Sequence, residues 1–258
     1  MKALITLLKR DIKNSINKRL LFLLIFMILL QLWFILGSGS VEKVIKLQQI
    51  HFMSIVFSFN LFGSIIALAF SFDSISNERE SKVLDLILTS NISKKKIITY
   101  KALTGLFVSA FFAVIYVLVI LVVYLLGTGD LRLSLQSLYY ILPITAFLFI
   151  YHLMGLSLSI LLRSSRTSLI ISVILGGLFI PRLYLVFAEG VVKLFGLGET
   201  AVEIAGMLSP ALIMNALSGY GGNRDIMYAV IILTAYIVGM ILLSMFTFLK
   251  QDELNYGE

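Results

Sequence analysis

Residues 73–101 read DSISNERESKVLDLILTSNISKKKIITYK, a polar island between long apolar runs. Asn77, Glu78, Arg79 and Glu80 open it. A short amphipathic run over 81–92 follows, then Ser93 and the lysines Lys94, Lys95 and Lys96, and Lys101 closes it as the next apolar run begins. A chain that only had to cross a bilayer twice could turn in a few residues. Nearly thirty residues with dense charge and helical periodicity read instead as a docking element. The spacing predicts a helix over 81–92 that presents Val83, Leu86 and Ile87, with Leu84 and Leu88, to a groove on a partner.

The rest of the chain explains why this island stands out. The 258 residues are 59% hydrophobic and 14% charged, with a mean hydropathy of +1.01, against about 25% charged residues in soluble domains. The apolar residues form long runs, which points to helices that cross a membrane. Six spans are expected near residues 20–36, 54–72, 102–126, 138–162, 168–188 and 226–249, in a single transmembrane domain over 1–258. The fold class is all-α and polytopic. The stretch over 20–36 follows six basic residues and lacks a clean small-residue cleavage site, so it is expected to be retained.

Residues 1–19 predict an amphipathic helix lying in the membrane interface. Leu4, Ile5, Leu8, Ile12 and Ile16 share one face, and Lys2, Lys9, Arg10, Lys13 and Lys18 lie off it. Of the 21 lysines and arginines, fifteen fall on the side of the N-terminus, the island and the tail, and six on the other. The positive-inside rule therefore places both termini and the island in the cytoplasm. On the opposite side, residues 189–225 are glycine-rich yet apolar, and they predict broken helices that re-enter the membrane.

Several functions are excluded by what is missing. There are no cysteines, hence no disulfide, thiol catalysis or cysteine–zinc site. No GxxxxGK[ST] loop occurs, so the chain is not expected to bind ATP, and no HExxH or GxSxG motif suggests hydrolysis. Neither a catalytic residue nor a metal site is expected. The net charge of +7 reads as lysine and arginine beside anionic lipid, with no soluble basic domain left to bind nucleic acid. Acidic residues are essentially absent from span interiors, which weighs against a proton-coupled carrier. The other polar residues in the spans, Gln31, Asn60, Ser109, Thr145, Ser157, Ser159, Ser172, Thr234 and Ser244, read as bonded across helices or to their own backbone. His152 lies mid-span and reads as a neutral histidine bonded to a neighbouring helix. With Phe57, Asn60, Phe62 and Arg182 it is a candidate for lining a substrate path.

The island resembles the coupling stretch of type-2 ATP-binding-cassette exporter permeases. The matching residues are Ser76-Asn77-Glu78-Arg79-Glu80, then Val83-Leu84-Asp85-Leu86-Ile87-Leu88-Thr89-Ser90, then Ser93-Lys94-Lys95-Lys96 and Lys101. Leu208-Ser209-Pro210 also resembles the family. The usual Gly-Thr after the acidic pair is Ser81-Lys82 here, and the usual Pro is Asn91. The resemblance implies a cytoplasmic coupling helix between spans two and three. Glu78, Arg79, Glu80, Val83, Leu86, Ile87, Lys94 and Lys101 would couple it to an ATPase, the charges pairing with the N-terminal helix or the ATPase. It further implies two ATPase subunits that carry ATP and Mg, a second permease subunit forming a dimer, and a prokaryotic cell membrane. The cargo would be amphipathic, lipid-like, a peptide or a drug. A scaffold that docks an ATPase without transport is the alternative, followed by a secondary carrier.

Overall fold

The computed structural model describes residues 6, 9–12, 18–50, 53–69, 71–89, 92–162, 164–178, 181–196, 209, 213, 214, 217 and 223–255. Among them every regular element is a helix and no strand occurs. Residues 9–12 are helical; the rest of the stripe expected over 1–19, including Leu4, Ile5, Leu8 and Ile16, lies outside the described residues.

The chain then runs through α1 (Lys18–Gly37), α2 (Ser40–Leu47), α3 (Met53–Ser58), a π-helical turn (Phe59–Gly63) and α4 (Ser64–Leu68). Segment 73–101 holds α5 (Ser76–Glu80), α6 (Val83–Thr89) and the start of α7 (Lys94–Thr128). Next come α8 (Leu131–Leu135), a 3-10 turn (Gln136–Tyr140) and α9 (Ile141–Leu161). The last elements are α10 (Ser165–Leu178), α11 (Pro181–Leu194) and α12 (Asn223–Asn255).

Four stretches are long and apolar enough to cross a membrane: Leu20–Gly37, Lys94–Thr128, Leu131–Leu161 and Ile226–Lys250. The other two expected spans are not among these. Over 54–72 the α-helical ladder is interrupted at Phe59–Gly63. Over 168–188 the described residues form α10, as far as Leu178, and α11, from Pro181; residues 179 and 180 lie outside the described residues. At 1.5 Å per residue, the 14 residues of α10 reach about 21 Å of a hydrocarbon core near 30 Å thick. The two short helices pack on each other. Ser64 Oγ donates to the Gly176 carbonyl at 2.6 Å, and a Cβ at Gly176 would stand 2.7 Å from the Ile65 Cα. Glycine is what lets these backbones meet.

The expected helix over 81–92 is also corrected. It starts later, at Val83, and a separate helix precedes it, because Lys82 takes a left-handed φ of 59° and ends α5. Its N–H returns to the Arg79 carbonyl and that of Ser81 to Asn77, a left-handed helix stop. The basic triplet is not in a loop either: Lys94–Lys96 form the first turn of the 35-residue α7. Cations at a helix N-terminus oppose the macrodipole. Lys94 is held there by contacts with α12, donating to the Phe248 carbonyl at 3.1 Å and lying 5.1 Å over its ring.

Helix α9 is the centre of the bundle. Of the apolar window that ends in it, 83% is buried, against 6% of the last helix. Phe147 and Tyr151 of α9 meet at 4.9 Å, and Phe59 stands edge-on to Phe147, Phe112 and Tyr116. Beside the π turn lies a buried polar knot. The Tyr116 hydroxyl is 2.7 Å from the Ile55 carbonyl, 3.0 Å from Gln31 Oε1 and 2.9 Å from Ser58 Oγ. The Ser58 N–H also donates to Gln31. Ser157 and Ser244 likewise meet at 2.8 Å between α9 and α12. Gln31 and Ser157 thus bond between helices, as the sequence suggested, for about 0.6 kcal/mol each. Of the glycine-rich segment expected to re-enter, Ser209, Ile213 and Met214 are buried, the latter two in the main core; most of 197–222 lies outside the described residues.

Candidate functional site: a charged clasp under segment 73–101

Three consecutive residues of α5 reach three different parts of the protein. Glu78 turns toward the N-terminal helix and α7. Its Oε1 accepts from Arg10 at 2.7 Å and from Lys101 at 2.9 Å. Asp11 completes the cluster: Oδ1 accepts from Arg10 at 2.8 Å, and Oδ2 stands 2.7 Å from Lys101 Nζ. Two cations and two carboxylates balance, which is the condition for tolerating charges in a dry place. The Lys101 and Asp11 side chains are only 8% and 6% exposed. Burial works against the Arg10 charge. The hydrogen bond with Asp11 and the charges of Asp11 and Glu78 outweigh it and hold the guanidinium pKa above its ordinary value.

Arg79 points the other way and donates to the Ile160 carbonyl at 3.4 Å. That carbonyl belongs to the last turn of α9, where helix carbonyls lack partners and a cation is favoured. Glu80 reaches the first residue of α10, accepting from the Ser165 N–H at 2.9 Å and the Ser165 hydroxyl at 2.8 Å. It acts as an N-cap supplied from a distant part of the chain. Those hydrogen bonds, the backbone one first, lower the Glu80 pKa below its ordinary 4.5. A fourth bond anchors the start of α5: Ser159 Oγ of α9 accepts from the N–H groups of Ile75 and Ser76 at 2.8 and 2.9 Å.

Helix α6 covers this framework with its inner face. Leu84 and Ile87 are buried beside Ile75, Ile97, Tyr100, Leu156 and Phe248, and Val83 and Leu88 are half-buried against them. Leu86 alone of the apolar residues in α6 stands out, 70% exposed, flanked by Lys82, Asp85 and Thr89. The face open to a partner is therefore narrower than periodicity suggested, and Ile87 belongs to the protein's own core.

The described residues among those expected to line a substrate path make separate contacts. Phe57 stacks on Phe34 at 4.0 Å and Phe62 stands edge-on to Phe26 at 5.9 Å, both against α1. His152 is elsewhere, buried between α9 and α7. The Lys101 backbone lies beside it, but neither ring nitrogen makes a hydrogen bond of ordinary geometry. Its place is made by Gly105, where a Cβ would stand 1.9 Å from its Cδ2. The expected hydrogen-bonded histidine is thus a packed one. The side chains of Asn60 and Arg182 lie outside the described set.

Asp11, Ser165 and Gly105 are the residues sequence reasoning passed over. Asp11 carried a signal: it is the single acid among six basic residues in the first nineteen. The other two are small residues in apolar or turn contexts, and only the fold shows what they meet.

The site is a structural junction in a polytopic helical membrane protein, where one long inter-helical segment is fastened to the ends of several others. The chain belongs to the ABC-2 family transporter proteins, whose family model matches residues 5–253. It is accordingly a permease component of an ABC transporter, a membrane transport part that in this family works with an ABC ATPase subunit. Comparison with the curated proteins finds no match.

Removing the Glu80 cap gives a local test. Glu80→Ala is expected to speed amide exchange at Ser165 and the first turn of α10 and leave α7 unchanged. The same loosening is expected in the parent protein with acid. Because the folded pKa is depressed, the contribution is complete above 4.5 and fades as pH falls through the folded value. Equal exchange in parent and variant across that range would show that the cap does not hold the helix.

Proposed function

We propose that this permease subunit receives force from a separate ATPase at α6 and transmits it through the clasp. Segment 73–101 lies in the cytoplasm with both termini, in a prokaryotic cell membrane. Two copies of the ATPase carry the ATP and Mg, with no cofactor on this chain. Two permease subunits, identical or paralogous, form a dimer. The motion switches the bundle between inward-open and outward-open states and exports an amphipathic, lipid-like, peptide or drug substrate.

The observation that carries this reading is the division of labour within α5 and α6. Glu78, Arg79 and Glu80 bind the segment to the protein's own N-terminal helix, α9 and α10, while Leu86 is left exposed on the opposite side. A displaced α6 would take those elements with it. Such a rigid connection serves a lever better than a loop.

The test uses two neighbouring leucine-type positions with opposite burial. Leu86→Asp is expected to reduce co-purification of the cognate ATPase at least tenfold, about 1.4 kcal/mol or more, with no change in thermal unfolding. Ile87→Asp is expected to lower folded yield. Full ATPase retention in folded Leu86→Asp would overturn the docking assignment. Retained docking with ATP turnover that moves no cargo in reconstituted vesicles would favour the scaffold reading.

A further inference from the structure

At the end of the bundle away from segment 73–101 lies a cavity of about 700 Å³, within the roughly 300–1,000 Å³ of small-molecule sites. Its construction is local and specific. Helix α2 ends where Gln48 takes a left-handed φ of 51°, and the turn that follows carries Ile50 into the core. Gln136 fastens that turn to the other wall. Its Oε1 accepts from the Ile50 N–H at 2.9 Å, and its Nε2 donates to the Gln48 carbonyl at 3.4 Å. Both ends of this amide are engaged, so the cavity floor is a built connection between two stretches 86 residues apart.

The lining has a distinct chemistry. Among the described lining residues Arg132 is the charged one, and none is a carboxylate. The nearby Asp130 carboxylate accepts instead from the N–H groups of Arg132 and Leu133, capping α8. Gln49 and Tyr139 add an amide and a phenol, and Leu47 and Leu135 form an apolar rim. Tyr139 and Leu47 are 80% and 62% exposed. A guanidinium with neutral donors suits a phosphate oxygen pair. The apolar rim suits a chain attached to that phosphate.

We infer that this cavity binds the phosphodiester head of a glycerophospholipid, with Arg132 on the phosphate, Gln49 and Tyr139 as supporting donors, and Leu47 and Leu135 against the start of the acyl chains. The assignment of the lipid to the outer leaflet rests on the orientation proposed above; binding itself does not depend on it, nor on ATPase coupling. A free phosphate shares the head's chemistry but gains nothing from the rim.

The experiment uses the purified full chain in a neutral detergent, with dioctanoyl phosphatidylglycerol as probe and thermophoresis and native mass spectrometry as readouts. One probe molecule per site is expected, with affinity falling at least tenfold in Arg132→Gln and only partly in Leu135→Ala. Lys193→Gln removes another exposed cation, one that lies 3.9 Å from Glu189, and is expected to bind as the parent does. Dioctanoylglycerol, which lacks phosphate, and inorganic phosphate are both expected to compete poorly. Unchanged affinity in Arg132→Gln, or an equal loss in Lys193→Gln, would overturn the site. Strong competition by inorganic phosphate would overturn the lipid assignment, and equal binding of dioctanoylglycerol would overturn the role of the phosphate. Matching melting curves for Arg132→Gln and the parent keep the comparison free of folding effects.

Discussion

Lys101→Met is expected to destabilise the folded chain by about 3–5 kcal/mol, the usual result of removing one partner from a buried ionic cluster. The methionine fills the same space, so the loss is electrostatic. Asp11 and Glu78 are left buried with only Arg10 between them, and Arg10 is the most exposed of the four at 34%. The second substitution distinguishes this from lost packing. Asp11→Asn in the Lys101→Met background restores neutrality and is expected to recover a large part of the stability. Asp11→Asn in the parent leaves an excess cation and is expected to destabilise. The sign of the interaction between the two changes is thus set in advance. Thermal unfolding in detergent, read for the four proteins of the cycle, measures it. Additive losses would show that the four charges do not act as a unit. Under the proposed function, the double variant also carries a prediction about transport: it should fold yet transmit less well, because only the Arg10–Glu78 pair still ties the N-terminal helix to α5 by charge.

Gly105→Ala is the second large effect. The added Cβ would stand 1.9 Å from His152 Cδ2, 2.2 Å from Nε2 and 2.6 Å from Cγ. No real structure tolerates such distances, so either the imidazole moves or α7 and α9 separate. The ring is buried between the two helices, so the strain falls on the imidazole and on the pair that encloses it. Overpacking of this kind costs about 1–3 kcal/mol. His152→Ala in the same chain removes the obstruction, and the double variant is expected to be more stable than Gly105→Ala alone. His152→Ala by itself leaves a cavity and is expected to destabilise. If His152 were a functional group and not a packing one, the double variant would fold but lose transport beyond what Gly105→Ala loses. Vesicle transport measured beside unfolding separates the two roles.

Much of the architecture could be read from the residues because membrane helices must satisfy their backbones internally. Long apolar runs then have one outcome: 20–36, 102–126, 226–249 and all but the last residue of 138–162 fall within long apolar helical stretches. The other two expected spans carry local features of a different origin. The π turn at Phe59–Gly63 lies beside contacts made across the bundle: Ser64 on Gly176, and Tyr116 on the Ile55 carbonyl. Hydropathy averages over neighbours in sequence and does not see neighbours in space.

By itself, the sequence determined the class: an all-helical membrane chain, an elaborated polar segment before the third long apolar run, and the family resemblance that the family match now bears out. It also marked Glu78, Arg79, Glu80 and Lys101 as residues to watch, since charge beside apolar runs is expensive without a use. Only the tertiary structure decided what each one holds. A carboxylate's partner is chosen by distances of a few ångströms, and Asp11, 67 positions before Glu78 in the chain, comes to share Lys101 with it because the N-terminal helix folds against the base of α7. The tertiary structure likewise turned Ile87 inward and Leu86 outward, since a short helix resting on a core can bury only one face.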